Sequence, residues 1–208
     1  FRMAPGVPLV VPEVNPHALT RHAGLIANPN CSTIILLVAL APLHRAARIQ
    51  RIIVSTYQSV SGAGAKAMVQ LYEETARALR QSRVSRASFR VNPKLITRNP
   101  TRPLPGQIAF NVIPQVDQFL ANRYTKEEMK LVNETRKILE EPSLPMSATC
   151  VRVPVFVAHS EAVWIQTARP LSVRQARTIL RRSPGVRVVD EPAAGAYPLP
   201  IDAGGQDD

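Results

Sequence analysis

Cysteine is scarce in this chain of 208 residues: Cys31 and Cys150 are the two present. Two thiols exclude a disulfide-built scaffold, and without a secretory pattern they point to a reducing, cytoplasmic compartment. Long apolar runs are missing too. Ile34 to Leu43 is far too short to span a bilayer, and Pro42 interrupts it. Acidic residues are absent between Glu74 and Asp117, a stretch that holds Arg77, Arg80, Arg83, Arg86, Arg90, Lys94, Arg98 and Arg102. The chain as a whole carries 26 Lys+Arg against 15 Asp+Glu, formally +11. Such a balance suits nucleic acid, an anionic substrate or a solvated cationic face. Here the cations sit in one proline-rich stretch, interrupted by the single aromatic Phe89. That leaves no stacking platform for single strands, so the segment reads as a basic, loop-rich surface insertion at about 80–106 and argues against nucleic acid.

What is present is organised around Ala27-Asn28-Pro29-Asn30-Cys31-Ser32-Thr33. Pro29 punctuates an apolar stretch, and the Asn, Ser and Thr residues after it are helix starters. A helix is predicted from here to about Arg48, with Cys31 in its first turn. Unpaired backbone N–H groups and the positive end of the helix dipole favour thiolate there, the nucleophilic form. A cysteine beside an apolar run also reads as a small buried hydrophobe, and the spacing alone leaves both readings open. Cys150, between Thr149 and Val151, reads as an inert core thiol.

Ile49 to Val60 is β-branched and aromatic and predicts a strand, with Gln58 at the end where a ligand cleft can open. Gly62-x-Gly64-x-x-Ala67 follows on a strand-to-helix turn, and a helix is predicted from about Ala65 to Arg80. The pattern formally fits a dinucleotide fingerprint, but the acidic residue expected about twenty positions on is absent. It reads as a turn touching a phosphate or nicotinamide at most, or as a tight turn with no ligand. Gln107 to Val112 predicts another strand. Thr125-x-x-Glu128 is a capping box opening a helix to about Leu139, on which Glu127 and Lys130 are neighbours and read by default as an exposed ion pair. Two strands are predicted at 149–157 and 159–167. Arg152 and His159, seven apart, reach one site only if a bend separates them, and Pro154 can supply it. Ser172-x-x-Gln175 caps a helix to about Arg182, Val186 to Val189 predicts a strand, and 191–208 is expected to lack a closing helix. Arg2 reads as a surface cation or as an anion-binding group beside the site. His17, His22 and His44 have no clustered partners, and no metal-ligand spacing occurs.

Taken together, Asn28-Pro29-Asn30-Cys31-Ser32-Thr33, the run from Ser55 to Gly64, Ala109-Phe110-Asn111-Val112-Ile113-Pro114 and Val151-Arg152-Val153-Pro154-Val155-Phe156-x-x-His159-Ser160-Glu161 resemble the ordered signatures of the aspartate-semialdehyde dehydrogenase family. A related family, N-acetyl-glutamyl-phosphate reductase, usually holds its nucleophile in Gly-Cys-Tyr-Pro, so Asn-Cys-Ser-Thr favours the aspartyl enzyme. The resemblance implies an α+β fold, a mixed sheet with helices largely on one face, similar to the C-terminal domain of glyceraldehyde-3-phosphate dehydrogenase. It implies NADPH-dependent reductive dephosphorylation of 4-phospho-L-aspartate to L-aspartate 4-semialdehyde, in lysine, diaminopimelate, methionine and threonine biosynthesis. By the same resemblance Cys31 is the nucleophile, His159 the acid/base and Gln58 the group orienting the acyl carbon. Arg152 meets the substrate carboxylate and Glu127 its amino group; Arg2, Asn30 and Lys130 surround the phosphate; Ser61, Gly62, Ala63 and Gly64 border NADP. A homodimer is implied as well. Family members carry a longer N-terminal nucleotide-binding part and a further C-terminal segment. The expectation is therefore the end of a nucleotide-binding domain at 1–30 and a catalytic and dimerisation domain at 31–208. An incomplete, non-catalytic dimerisation module is the alternative. Val157-Ala158 departs from the more common Asn-Gly.

Overall fold

The computed structural model describes residues 1–81, 83–85, 88–90 and 103–206. Helix α1 (Cys31–Ala47) leads into strand β1 (Ile49–Gln58), then α2 (Ala65–Gln81) and a small hairpin of β2 (Arg83–Ser85) and β3 (Ser88–Arg90). Helix α3 (Lys126–Ile138), strands β4 (Met146–Arg152) and β5 (His159–Thr167), helix α4 (Val173–Arg181) and a short turn of helix α5 (Pro200–Ala203) complete the order. The main sheet runs β4-β1-β5, with β1 parallel to β4 and antiparallel to β5. It is the expected mixed sheet of an α+β fold.

β1 organises the rest. Its even-numbered residues Ile52, Val54, Thr56 and Gln58 are buried, while Ile53 and Tyr57 face outward, half-exposed. This period of two sends one face of the sheet to the helices. Leu36, Leu40 and Leu43 of α1, and Leu131 and Val132 of α3, pack there with Ile52, Val54, Ala148 and Cys150. On the other face Ile53 and Trp164, paired across β1 and β5, are exposed. Helix starts follow the sequence closely. Thr125 and Glu128 form the capping box of α3, and Ser172 and Gln175 that of α4.

Three predicted strands differ. Residues 107–112 form a turn, because the buried Glu74 carboxylate accepts the backbone N–H groups of Ile108 (2.8 Å) and Ala109 (3.1 Å), and Phe110 takes φ 56°. Only Ile113 pairs with a strand, bridging Arg152. The strand placed at 149–157 begins earlier and stops at Arg152, since Pro154 has no N–H to give a ladder and Ala158 turns the chain at φ 66°. Residues 186–189 are not a strand: Gly185 (φ 71°) turns the chain so that Val186 and Val189 line a groove against Ile34 and Val38 of α1. The tail is less plain than expected, with helical turns at Pro192–Ala194 and at α5. Most of the basic stretch, including Arg86, Lys94, Arg98 and Arg102, lies outside the described residues. Among those described, no helix is long and apolar enough to cross a membrane.

Candidate active site

Sheet register assembles the site. Gln58, the last residue of β1, stands opposite Arg152 on β4 and His159 on β5. Three residues scattered over a hundred positions thus occupy one row, on the face the helices cover. The predicted bend between Arg152 and His159 is present as the loop 153–158, tied to the turn after β1 by Val60 N–H to Val155 O (2.9 Å) and Ser61 N–H to Phe156 O (3.1 Å). Their convergence can be measured at Gly62. A Cβ there would lie 3.1 Å from Arg152 Nη1 and 3.3 Å from His159 Cε1 and Nε2. Gly62 is small because both side chains crowd against it.

Helix α1 brings Cys31 to the same row. Asn30 is its N-cap: Oδ1 accepts from Ser32 N (3.0 Å) and Thr33 N (3.4 Å), while Nδ2 donates to Glu127 Oε1 (2.9 Å). Gln58 Nε2 donates to Ser32 Oγ (2.8 Å) and to the same Glu127 oxygen (3.3 Å). Cys31 is exposed, which decides between the two readings left open for it, and Cys150 is fully buried, as its setting suggested. Burial pushes the Cys150 thiol up to about 12, and Thr56 and the nearby carboxylates modify it further.

The expected ionised thiol is not what the surroundings favour. Desolvation and the negative charge of Glu127 raise the Cys31 thiol above its ordinary value, outweighing the backbone N–H of Ser32. The helix start helps, but desolvation, with the Glu127 charge added to it, outweighs it. His159 is pushed the other way, chiefly by burial and also by the Arg152 guanidinium, so the neutral ring is favoured. Its Nδ1 accepts from Ser59 N–H (3.1 Å) and contacts Ser59 Oγ (3.0 Å), which in turn meets Ser61 Oγ (3.0 Å). A backbone N–H can only donate, so the neutral ring carries its proton on Nε2, the atom facing Gly62. The surroundings thus favour a neutral thiol at Cys31 and a neutral imidazole at His159.

Glu127 is not the exposed ion pair its spacing suggested. It is buried and accepts from Asn30, Gln58 and Lys130 (3.2 Å) at once. Lys130 also bonds Asp117 Oδ2 (2.9 Å); burial opposes its charge, but the two carboxylates outweigh burial and raise it. Arg2 reaches Glu134 Oε1 (3.2 Å), whose other oxygen accepts Asn30 N–H (2.6 Å), so Arg2 belongs to the same polar network. Sequence reasoning missed Glu134 and Ser59. Glu134 lies seven residues after Glu127 on α3, two turns along one face, and that spacing was the available signal. Ser61, Gly62, Ala63 and Gly64 form a single turn of 3₁₀ helix and its cap, and Gly64 at φ +89° has open space around it. No group of three His, Cys, Asp or Glu among the described residues is placed to hold a metal ion.

The family model for the semialdehyde dehydrogenase dimerisation domain matches residues 40–208. The chain belongs to the semialdehyde dehydrogenase family. Within it, the chain is 46% identical to aspartate-semialdehyde dehydrogenase of Aquifex aeolicus, over all of this chain and 58% of the relative. The crystal structure of aspartate semialdehyde dehydrogenase II of Vibrio cholerae, complexed with ASA, superimposes with a TM-score of 0.84 at 45% identity, over all of this chain and 57% of that one. The enzyme of Candida albicans, solved with NADP, gives 0.59 at 26% identity, over 87% of this chain and 46% of that one. The chain thus spans a little over half the length of the first two relatives.

Proposed function

We propose that this chain carries the catalytic and dimerisation domain of an aspartate-semialdehyde dehydrogenase, forming L-aspartate 4-semialdehyde from 4-phospho-L-aspartate through a thioester on Cys31. The observation that carries the reading is the row of Gln58, Arg152 and His159 meeting at Gly62, with the Cys31 helix start tied to it through Ser32.

The residues divide the work by charge. The substrate is anionic at both ends and cationic at its amino group, so it needs cations at its two ends and an anion between them. Arg152, already holding Ser59 O through Nη1 (2.7 Å), presents the rest of its planar fork to the α-carboxylate. Glu127 sits where an ammonium group would be welcome. Lys130 and Arg2, with the Asn30 side chain, supply donors to the phosphate end. Cys31 attacks the acyl carbon, the C–S bond forms as the C–O bond to phosphate breaks, and the departing phosphate carries away the thiol proton. A neutral His159 accepts the thiol proton only if its Nε2 proton moves on first, so its favoured task is donation: the Nε2–H stabilises the oxygen on which charge develops. The Gly64 turn, open and without a side chain, leaves room for a flat ring, which fits a nicotinamide. NADPH, when bound, supplies the hydride that reduces the thioester. Ser61, Gly62, Ala63 and Gly64 hold that edge of the site, and Gln58 keeps the acyl oxygen in line. A homodimer fits the family's dimerisation domain, with the outward face of the sheet bearing Ile53, Tyr57 and Trp164 as its contact surface. Biosynthesis of lysine, diaminopimelate, methionine and threonine in the cytoplasm is the setting that accords with this reaction.

The test is phosphate-dependent reduction of NADP with L-aspartate 4-semialdehyde, followed at the NADPH absorbance, together with trapping of an acyl group on Cys31 by mass spectrometry. Turnover that survives Cys31→Ser would refute the role of the thiol.

A further inference from the structure

One partly buried acid of the sheet has no task in this chemistry. Glu161 lies two residues after His159 on β5, so its side chain faces the same side of the sheet. It stands opposite Thr56 on β1, which stands opposite Cys150 on β4. Thr56, Cys150 and Glu161 therefore form a second row directly beneath Gln58, Arg152 and His159, about 7 Å away along the strands. Two atoms of these rows are buried without a hydrogen bond on neighbouring strands, Glu161 Oε1 and Thr56 Oγ1, and Arg152 Nε is a third. The Thr56 hydroxyl influences the Cys150 thiol, but its geometry is not that of a full hydrogen bond.

A carboxylate with one oxygen buried and unpaired is costly, whereas the neutral acid is tolerated and can donate. The groups around it sharpen the choice. From α3, Glu127 is negative and Glu128 accepts Cys150 N–H (3.0 Å) and Thr125 N–H (2.6 Å). From β4 and β5 come Arg152, Cys150 and His159, and Cys31, at the start of α1, is joined to this group through Arg152, whose charge it feels. Arg152 is the cation of the upper row, and Glu127 already opposes it.

We propose that Glu161 is a positioning residue of the site: a carboxyl group kept neutral beneath the Gln58–Arg152–His159 row, whose protonation sets the charge felt by His159 and Cys31. As the neutral acid it leaves Arg152 free to stabilise negative charge in the row above. As a carboxylate it adds a second anion to that of Glu127, opposes thiolate formation at Cys31 and draws positive charge onto His159. Burial raises this carboxyl to about 8, so the change falls just above neutrality. The proposal rests on reading Cys31 and His159 as a reacting pair, and its test uses no substrate.

The test is the ring-proton NMR titration of His159 together with the pH profile of Cys31 carboxamidomethylation by iodoacetamide, read by mass spectrometry. The wild-type protein should show a second inflection of the His159 signal near pH 8, and Glu161→Gln should abolish it. Above that pH the variant should alkylate at Cys31 faster than the wild type, on the order of tenfold for one charge removed from a partly buried site. If the inflection is missing from the wild type, or persists in Glu161→Gln, or if the two alkylation profiles superimpose, the proposal is overturned. Glu161→Met, similar in length and without charge, replaces Glu161→Gln if the amide does not fold, and the wild-type titration stands without either. Loss of the aspartyl-phosphate reading would appear as absent turnover with these titrations intact.

Discussion

Asn30 joins the start of α1 to the buried carboxylate of α3, and its replacement separates two contributions. Asn30→Ala removes the capping oxygen from Ser32 N and Thr33 N and the amide donor from Glu127. Loss of a helix cap costs about 1 kcal/mol. Loss of a hydrogen bond to a charged acceptor costs about 2 kcal/mol. The sum, about 3 kcal/mol, is a large part of the stability of an ordinary domain. Asn30→Ser keeps a capping oxygen and cannot reach Glu127, so it should lose only the second contribution. With a urea dependence of about 2 kcal/mol per molar, the midpoint should fall by about 1.5 M for Asn30→Ala and about 1 M for Asn30→Ser at unchanged slope. The Asn30 N–H to Glu134 bond survives in both. In a Glu127→Gln background Asn30→Ala should cost little more than the cap, because the charged acceptor is gone. Urea unfolding followed by circular dichroism decides the matter. Equal cost for Ala and Ser, or no coupling to Glu127, would refute the account of Asn30 as a bridge between α1 and α3.

Cys31→Ser should abolish acyl capture, while Cys150→Ser should leave capture intact and lower stability, since a hydroxyl replaces a fully buried sulfur; intact-mass analysis after substrate addition separates the two, and equal loss of capture in both would defeat the assignment. Gly62→Ala places a methyl group 3.1 Å from Arg152 Nη1 and 3.3 Å from the His159 ring, so kcat/KM should fall at least tenfold with an unchanged circular dichroism spectrum. Stability should depend on pH through Glu161. Its folded carboxyl titrates at about 8 against an ordinary 4.5, so its contribution is complete below pH 4.5 and is lost as pH rises to about 8. Glu161→Gln should flatten the decline in melting temperature across that window, as scanning calorimetry from pH 5 to 9 would register.

Local signals carried much of this fold because local chemistry fixes helix ends. Both capping boxes and the Asn30 cap are satisfied by atoms within three residues of one another, and such bonds are written in the sequence. The failures share a different cause. The segment 107–112 alternates as a strand does, but a carboxylate over thirty residues away takes its N–H groups, and no local pattern announces Glu74. Arg152 and His159 could be placed together only on the condition of a bend, which the loop 153–158 provides. The thiol of Cys31 departs from its local signals for the same reason as the 107–112 segment. Its helix-start donors are local, whereas the desolvation that outweighs them comes with the fold, and Glu127, which adds to it, lies on a helix nearly a hundred residues on.

Arg152 and His159 are chain neighbours across a short loop, yet neither the loop's length nor its composition determines how far apart their side chains stand. That separation belongs to β1, which both flanking strands grip in fixed register. A residue inserted between Val153 and Ala158 should therefore leave the guanidinium and the imidazole where they are. A slip of one position in either pairing would turn the affected side chain onto the outer face and dismantle the site without altering a single residue of it.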